Sequence, residues 1–432
     1  MTSPADEAPK AGDLLDLTVG EAVHGGWCVA RTGDATSRVI FVRHALPGEK
    51  VRAEITQTTA KFARADAVQI LEPSADRVEP PCPHAHPGGC GGCDWQHASL
   101  PAQRALKAAV VRQQLRRIAG IDQDVTVEPL DGDDGGLGWR TRIRFAVRSD
   151  GSAGLRRHRS HQIVKVGSCP IGHELVNDSG VASRRWPGAR SVEVASAPGS
   201  GQRALIVSGG SFRSNSWSDF PASSVLAGPR DGLPAALRGS GFLEQRAAGR
   251  SWRVGATTFW QVHPGAASAL AAAVLEALRP APGDTALDLY CGAGLFAGVL
   301  ADAVGPEGTV IGIEGDTGAV RDARFNLKST PWARVHKGDV GAMLARYGVS
   351  GAKLAVLDPP RTGADKAVVE ALAAAGSEAA LQRIAYVSCD PATLARDLAM
   401  FGKQGWELEA LRAFDAFPMT HHVEMLATLS RW

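Results

Sequence analysis

The run Leu287-Asp288-Leu289-Tyr290-Cys291-Gly292-Ala293-Gly294-Leu295-Phe296 reads as an apolar strand, a glycine turn and the start of a helix. Gly292 and Gly294 let the backbone approach a ligand where any Cβ would clash. The run is not GxGxxG, because Ala297 stands where the third glycine would be, and no lysine follows, so no triphosphate is expected. Outward from this turn, the chain beyond Pro264 alternates helical stretches with short apolar runs: TALDLYCGAG, GTVIGIEG, KLAVLDPPR, RIAYVSCDP and VEMLATLSRW. That alternation predicts a mostly parallel, doubly wound, Rossmann-like sheet with ligands at the carboxyl ends of its strands.

Glu314 ends the strand after the turn, where a carboxylate accepts hydrogen bonds from both hydroxyls of a ribose. Asp339, in HKGD after the third strand, is placed to meet an adenine edge. An adenosine ligand without pyrophosphate fits this set, and the expected cofactor is S-adenosylmethionine. Asp358-Pro359-Pro360-Arg361 closes the fourth strand. The two prolines fix an extended turn and remove two donors, leaving the Asp358 carboxylate facing the cleft. Methylation of exocyclic amines uses an aromatic ring after such prolines; Arg361 stands there instead, which weighs against that reaction.

At 432 residues the chain should hold two or three domains, and 44% hydrophobic with 21% charged residues describes an ordinary soluble protein. A net charge of +2 means that nucleic-acid binding must come from local patches. With no apolar run of about 18 residues, no membrane span is expected. The polar opening carries no signal-peptide pattern, so residues 1–13 read as a disordered tail on a cytoplasmic protein. Five short alternating strands within 14–73 predict a small closed β-barrel of the oligonucleotide-binding type. Residues 74–263 read as a central, mostly-β domain, and 264–432 as the methyltransferase domain. The whole is a multi-domain α/β protein, expected to be a monomer. In the central domain Arg140, Arg142 and Arg144 alternate along a strand and so share one face, suited to RNA or to solvent.

Seven cysteines (Cys28, Cys82, Cys90, Cys93, Cys169, Cys291, Cys389) form an odd set without an export signal, which argues against a disulfide framework. Cys82, Cys90 and Cys93 crowd into one loop, and Cys169 offers a fourth thiolate. Four thiolates suit zinc or an iron–sulfur cluster. His84, His86, His97 and His173 add possible zinc ligands, so spacing alone does not choose. Cys28 has no role beyond the barrel core.

TFWQVHPGA, DLYCGAGLF, IEG, DPPRTGA, YVSCDPATLARD and DAFPMTHHVEML together resemble the bacterial uracil-C5 RNA methyltransferase family, over nearly the whole chain. The N-terminal barrel is similar to a TRAM domain. The chemistry explains why a cysteine ends the strand Ile384-Ala385-Tyr386-Val387. Uracil C5 is too weak a nucleophile to take a methyl from a sulfonium, whereas a thiolate adding at C6 makes it an enolate. Cys389 is therefore the expected nucleophile. An ordinary thiol is mostly protonated at neutral pH, and the helix starting near Ala392 is expected to lower its pKa.

The resemblance implies Glu424 as the general base that removes the C5 proton, with His421 and His422 as competitors for that role. It further implies that Asp358 touches the cofactor and shapes the uracil pocket, and that Gln261, Tyr290 and Leu295 line the cofactor. Leu295 replaces a polar residue of the family, leaving only its backbone for that contact. Phe259 and Trp260 are expected to pack. Family members with this loop hold a [4Fe-4S] cluster, which the resemblance assigns to Cys82, Cys90, Cys93 and Cys169, with zinc as the alternative. The Cys82–Cys90 spacing is longer than the family's. A radical mechanism is disfavoured, since a fourth cysteine is available and the cofactor site is Rossmann-like. The barrel with a cysteine loop resembles the 23S rRNA branch more than the tRNA T-loop branch. The rivals are a cytosine-C5 enzyme, disfavoured because no cysteine follows Pro359, and a non-catalytic RNA-binding protein.

Overall fold

A computed structural model of the chain describes residues 9–33, 38–209, 217, 219–229, 232–349, 351–378 and 381–431. These fall into two compact units. The first comprises Met1–Val110, Leu155–Val164 and Pro418–His422; the second comprises Val111–Gly154, Lys165–Phe417 and Val423–Trp432.

The first unit is built on the expected barrel, closed in the order Leu14–Val23, Trp27–Arg31, Val39–Arg43, Phe62–Glu72, Lys50–Thr58. Val39–Arg43 and Phe62–Glu72 run parallel, and the other pairs are antiparallel. Along Lys50–Thr58 the residues Val51, Ala53 and Ile55 point inward while their neighbours face water, the period of two that a barrel wall imposes. Cys28 packs in this core with its thiol 3.4 Å from the Ala45 carbonyl oxygen, and burial pushes its pKa up to about 12. It is a buried packing residue, inert as a nucleophile. The expected disordered tail begins in residues 1–8, outside the described residues. Lys10–Asp13 form a turn on the barrel, with the Gly12 amide donating to the Ile55 carbonyl at 2.9 Å.

The second unit contains two sheets and a hairpin. The central sheet orders its strands Ala235–Arg238, Ser224–Gly228, Gln202–Ser208, Ser191–Ala197, Arg142–Val147. The larger sheet runs Ala333–Lys337, Thr309–Glu314, Thr285–Leu289, Leu354–Leu357, Arg383–Ser388, Glu424–Ser430, Glu407–Phe414 and the short Val127–Glu128. Its first five strands are parallel and Glu424–Ser430 is antiparallel to both neighbours. This is the doubly wound sheet expected from the alternating pattern. Helices Ala266–Leu278, Leu295–Val304 and Thr317–Asn326 cover it with Leu270, Val274, Phe296, Leu300, Val320 and Ala323 in the core.

The hairpin Phe242–Ala247/Arg250–Gly255 contributes Trp252 and Val254 to that same core. A Cβ on Gly298 of the covering helix would stand 2.4 Å from the Trp252 ring, so glycine is what lets the hairpin seat. The packing therefore begins ahead of the expected boundary at residue 264. Among the described residues no helix is long and apolar enough to cross a membrane.

Candidate active site

The glycine turn sits at the carboxyl end of Thr285–Leu289, where the strand order switches from one side of the sheet to the other. Tyr290, Gly292 and Gly294 all have positive φ, of 63°, 53° and 92°. A non-glycine residue in that region costs about 1–2 kcal/mol, which marks Tyr290 as held there by the turn. Glu314 fastens the turn: one oxygen accepts from the Gly292 amide at 3.0 Å and the other from Asp316 N–H at 2.6 Å. Each carboxylate oxygen keeps a further lone pair for a ligand hydroxyl. A Cβ at Gly292 would meet nothing within 4 Å, so the turn borders open space. Leu295 buries its side chain in the core, leaving only its backbone at the turn. Asp339 caps the helix Val340–Tyr347, accepting from Ala342 N–H at 2.8 Å. Asp288 is fully buried, with one oxygen accepting from Ala297 N–H at 2.6 Å. Burial first, then Asp358 and Glu314, push its carboxyl well above the usual range.

Cys389 follows the strand Arg383–Ser388 directly. That strand is antiparallel to Glu424–Ser430 with Ser388 paired to Met425, so continuing the register one step places Glu424 opposite Cys389. Residues directly opposite in such a pair have Cβ atoms about 5 Å apart. Asp358 ends the neighbouring strand, its amide donating to the Leu289 carbonyl at 3.2 Å. Four groups thus act on one another. The Cys389 thiol is pushed up to about 12 by burial first and by the Glu424 charge second, while Arg361 opposes the rise. Glu424, only 4% exposed, is raised well above its usual value by burial and by Asp358, again opposed by Arg361. Asp358 is raised to about 7 by burial. The expected lowering of the thiol pKa by the following helix is overturned: desolvation and adjacent carboxylates outweigh the dipole. Burial thus favours the protonated forms of Cys389 and Glu424.

The rest of YVSCDPATLARD holds the DPPR loop in place. Asp390 caps the helix Pro391–Gly402, accepting from Ala392 and Thr393 N–H at 3.0 and 2.9 Å. Tyr386 Oη donates to Asp397 Oδ2 at 2.6 Å, and Ala364 N–H donates to both oxygens at 3.0 Å. Arg396 pairs with Asp397 Oδ1 at 2.7 Å and donates to the Thr362 carbonyl at 3.0 Å. Gly363 has φ of 80°, and a Cβ there would stand 2.4 Å from Arg396. The Arg396–Asp397 pair fixes the loop from Thr362 to Ala364 against the helix that follows Cys389. Asp397→Asn removes the buried charge that gathers these donors. It should lower kcat by on the order of a hundredfold through misplacement of the loop, and lower thermal stability. Steady-state kinetics with a thermal melt of the same variant check this.

Gln261 is 9% exposed and lines a small cavity with Thr141, Ser196, Gln245 and Thr258. Its loop is tied to the helix Thr317–Asn326. Buried Asp322 accepts from Gly255 N–H at 2.6 Å and from Thr258 Oγ1 at 2.8 Å, and Asn326 Nδ2 donates to the Ala293 carbonyl at 2.9 Å. One helix thus joins the Gln261 loop to the glycine turn. Asp322 and Asn326 were not singled out from sequence, because an Asp or Asn inside a helical pattern carries no local mark of such contacts. Phe259 corrects the packing expectation: it is 63% exposed, whereas Trp260 is half-buried with its ring 6.1 Å from that of Trp252.

Arg142 and Arg144 do share a face, and both meet Glu193, at 3.1 and 2.6 Å. Arg142 also donates to the Ala256 and Thr258 carbonyls. That turns its guanidinium into the fold and corrects its reading as an RNA contact. Arg144 stays largely exposed, and Arg140 lies 5.9 Å from the Trp139 ring. Cys82, Cys90, Cys93 and Cys169 are half-buried, the first three in the first unit and Cys169 in the second. Among the described residues no group of three or more His, Cys, Asp or Glu side chains is arranged to hold a metal ion. His421 is held by Asp94, whose Oδ2 lies 2.6 Å from its ring nitrogen.

Comparisons with known proteins agree with this layout. The family described as tRNA (Uracil-5-)-methyltransferase matches residues 250–432, and the TRAM domain matches residues 10–68. An uncharacterized RNA methyltransferase of Streptomyces coelicolor is 49% identical, covering 97% of this chain and 93% of its own. One from Bifidobacterium longum is 36% identical, covering 94% of both. The fold resembles the crystal structure of Pyrococcus abyssi tRNA (uracil-54, C5)-methyltransferase in complex with S-adenosyl-L-homocysteine. That match has a TM-score of 0.72 at 22% identity, covering 96% of this chain and 100% of that one. With a glycine turn, an opposed cysteine and glutamate, and relatives matched end to end, this chain belongs to the tRNA (uracil-5-)-methyltransferase family of RNA methyltransferases and carries an N-terminal TRAM domain.

Proposed function

We propose that this protein converts a uridine of an RNA substrate to 5-methyluridine. The opposition of Cys389 and Glu424 beside Asp358 carries this reading. The turn fits S-adenosylmethionine by its donor set: Glu314 for ribose hydroxyls, glycines that leave the backbone open, and Gln261, Tyr290, Leu295, Asp339 and Asp358 around it. When bound, that cofactor supplies a methyl group on a cationic sulfonium. Cys389, once ionised, adds through sulfur to uracil C6, and the electron pair moves onto C5 and O4. C5 would then bond to the methyl carbon as the methyl–sulfur bond breaks, the bonding pair staying with the cofactor as a neutral thioether, and the C5 proton would pass to the Glu424 carboxylate. The re-formed enolate expels the Cys389 thiolate, restoring the ring double bond. Exposed Phe259, two residues before Gln261, offers a ring on which a base stacks.

For the substrate, the barrel with a cysteine loop favours 23S rRNA, while the family description offers tRNA. Incubating the full chain with tritiated-methyl cofactor and transcribed RNAs tests the reading. Label in 5-methyluridine is expected, and the labelled RNA identifies the substrate. No incorporation into either rRNA or tRNA would overturn the assignment.

The crowding of three cysteines supports a [4Fe-4S] cluster held by Cys82, Cys90, Cys93 and Cys169, with zinc as the alternative; no step of the reaction runs through it. Protein purified without oxygen should then be brown, and Cys93→Ser should lose the visible absorption. Colourless protein with stoichiometric zinc would replace the cluster by zinc.

A further inference from the structure

The segment Leu155–Val164, LRRHRSHQIV, belongs to the barrel's compact unit. Three guanidinium groups converge on one indole there. Arg43, Arg64 and Arg159 lie 5.9, 5.6 and 5.7 Å from the Trp27 ring. His158 meets that ring edge-on at 5.7 Å. Arg43 is neutralised by Asp94 at 3.2 Å. The others are not neutralised. Arg64 donates to the neutral Gln57, Arg156 faces His161 at 2.7 Å, and Arg157 donates to Gln162 at 2.7 Å. Among the described residues none of Arg64, Arg156, Arg157 and Arg159 has a carboxylate partner, and Arg156, Arg157 and Arg159 are exposed. Positive charges gathered this closely repel one another, and with no protein anion among them the patch suits an external polyanion. Guanidinium forks match phosphate oxygens in pairs.

The cysteine loop packs against this arginine segment. Gly91, inside CGGC, donates its amide to the Arg156 carbonyl at 3.0 Å. A Cβ at Gly91 would stand 2.3 Å from His158 N and 2.5 Å from its Cα, which backbone atoms do not permit. At Gly92 a Cβ would find only Cys90 Sγ, at an ordinary 3.6 Å.

We propose that Arg64, Arg156, Arg157 and Arg159 grip the phosphate backbone of the RNA substrate, and that Gly91 of the cysteine loop positions this grip. The identity of the polyanion rests on the RNA methyltransferase reading. The grip is distant in role from the chemistry: it sets affinity and salt dependence without choosing the base.

Fluorescence anisotropy of a labelled RNA substrate against the full chain, across a potassium chloride series, tests it. Arg64→Ala/Arg159→Ala should weaken binding by on the order of tenfold or more and flatten the log–log salt slope by about 0.7–0.9 per arginine. Its kcat at saturating RNA should stay unchanged. Gly91→Ala should give the same loss, and Gly92→Ala none. Unchanged affinity and slope in the double arginine variant, with methylation intact, would overturn the grip. So would Gly92→Ala matching Gly91→Ala, for the positioning part. Loss of RNA methylation by the wild type would instead count against the catalytic reading, since the binding slopes remain measurable without it. Stronger loss for an acidic polypeptide than for RNA would assign the patch to a protein partner and also overturn the proposal.

Discussion

Cys389→Ala should abolish methyl transfer, lowering turnover by at least about 10⁴-fold, and should leave no covalent protein–RNA species on a denaturing gel. Without sulfur there is no addition at C6, so C5 never gains the electron density that the methyl transfer requires. Binding of RNA and cofactor should persist, because the residue contributes little to either surface. The rate of adduct formation by the unaltered enzyme should carry a pH signature. With the thiol pushed up to about 12, its ionised fraction grows about tenfold per unit below that value. Ionisation of the nearby Asp358, raised to about 7, works against this by adding negative charge beside the sulfur. The single-turnover rate should therefore rise with pH from 6 to 9 less steeply than tenfold per unit. A flat profile would mean that the thiolate is already formed at rest.

Glu424→Gln should have a different and complementary result. The amide cannot take the C5 proton, so the methylated adduct should accumulate and survive denaturation, while turnover falls by about 10²–10⁴-fold. Gln also removes the carboxylate whose charge adds most to the Cys389 pKa, so adduct formation itself should not slow. A Glu424→Gln variant that releases methylated RNA at the normal rate would transfer the base role elsewhere. His421 is a poor candidate on geometry, since its ring nitrogen already faces the Asp94 carboxylate at 2.6 Å.

The raised carboxyl of Glu424 bears on its proposed service as a base. Burial raises both Asp358 and Glu424, and the Asp358 charge raises Glu424 further, so the two resist being ionised together. A positive charge brought beside them favours the ionised forms.

Much of the site lay in short stretches. The glycine turn, the acid ending the next strand and the two prolines of DPPR are local patterns, each fixed by what a backbone allows at one point. The proposed nucleophile role of Cys389 came from the family resemblance and the chemistry of uracil C5, because a cysteine at a strand end is by itself an ordinary packing residue. The alternation of helix and strand periods specified the doubly wound sheet, and period-two runs specified the barrel, since amphipathicity is written residue by residue. Tertiary structure decided the rest. Antiparallel register, not spacing, sets Glu424 opposite Cys389. The union of Tyr386, Asp397 and Ala364, and the inward turn of Arg142 onto Glu193, come from chains that meet only when folded. The height of the Cys389 pKa belongs there too, because desolvation and charge sum over every neighbour in space, and a sequence names residues without saying which of them surround one another.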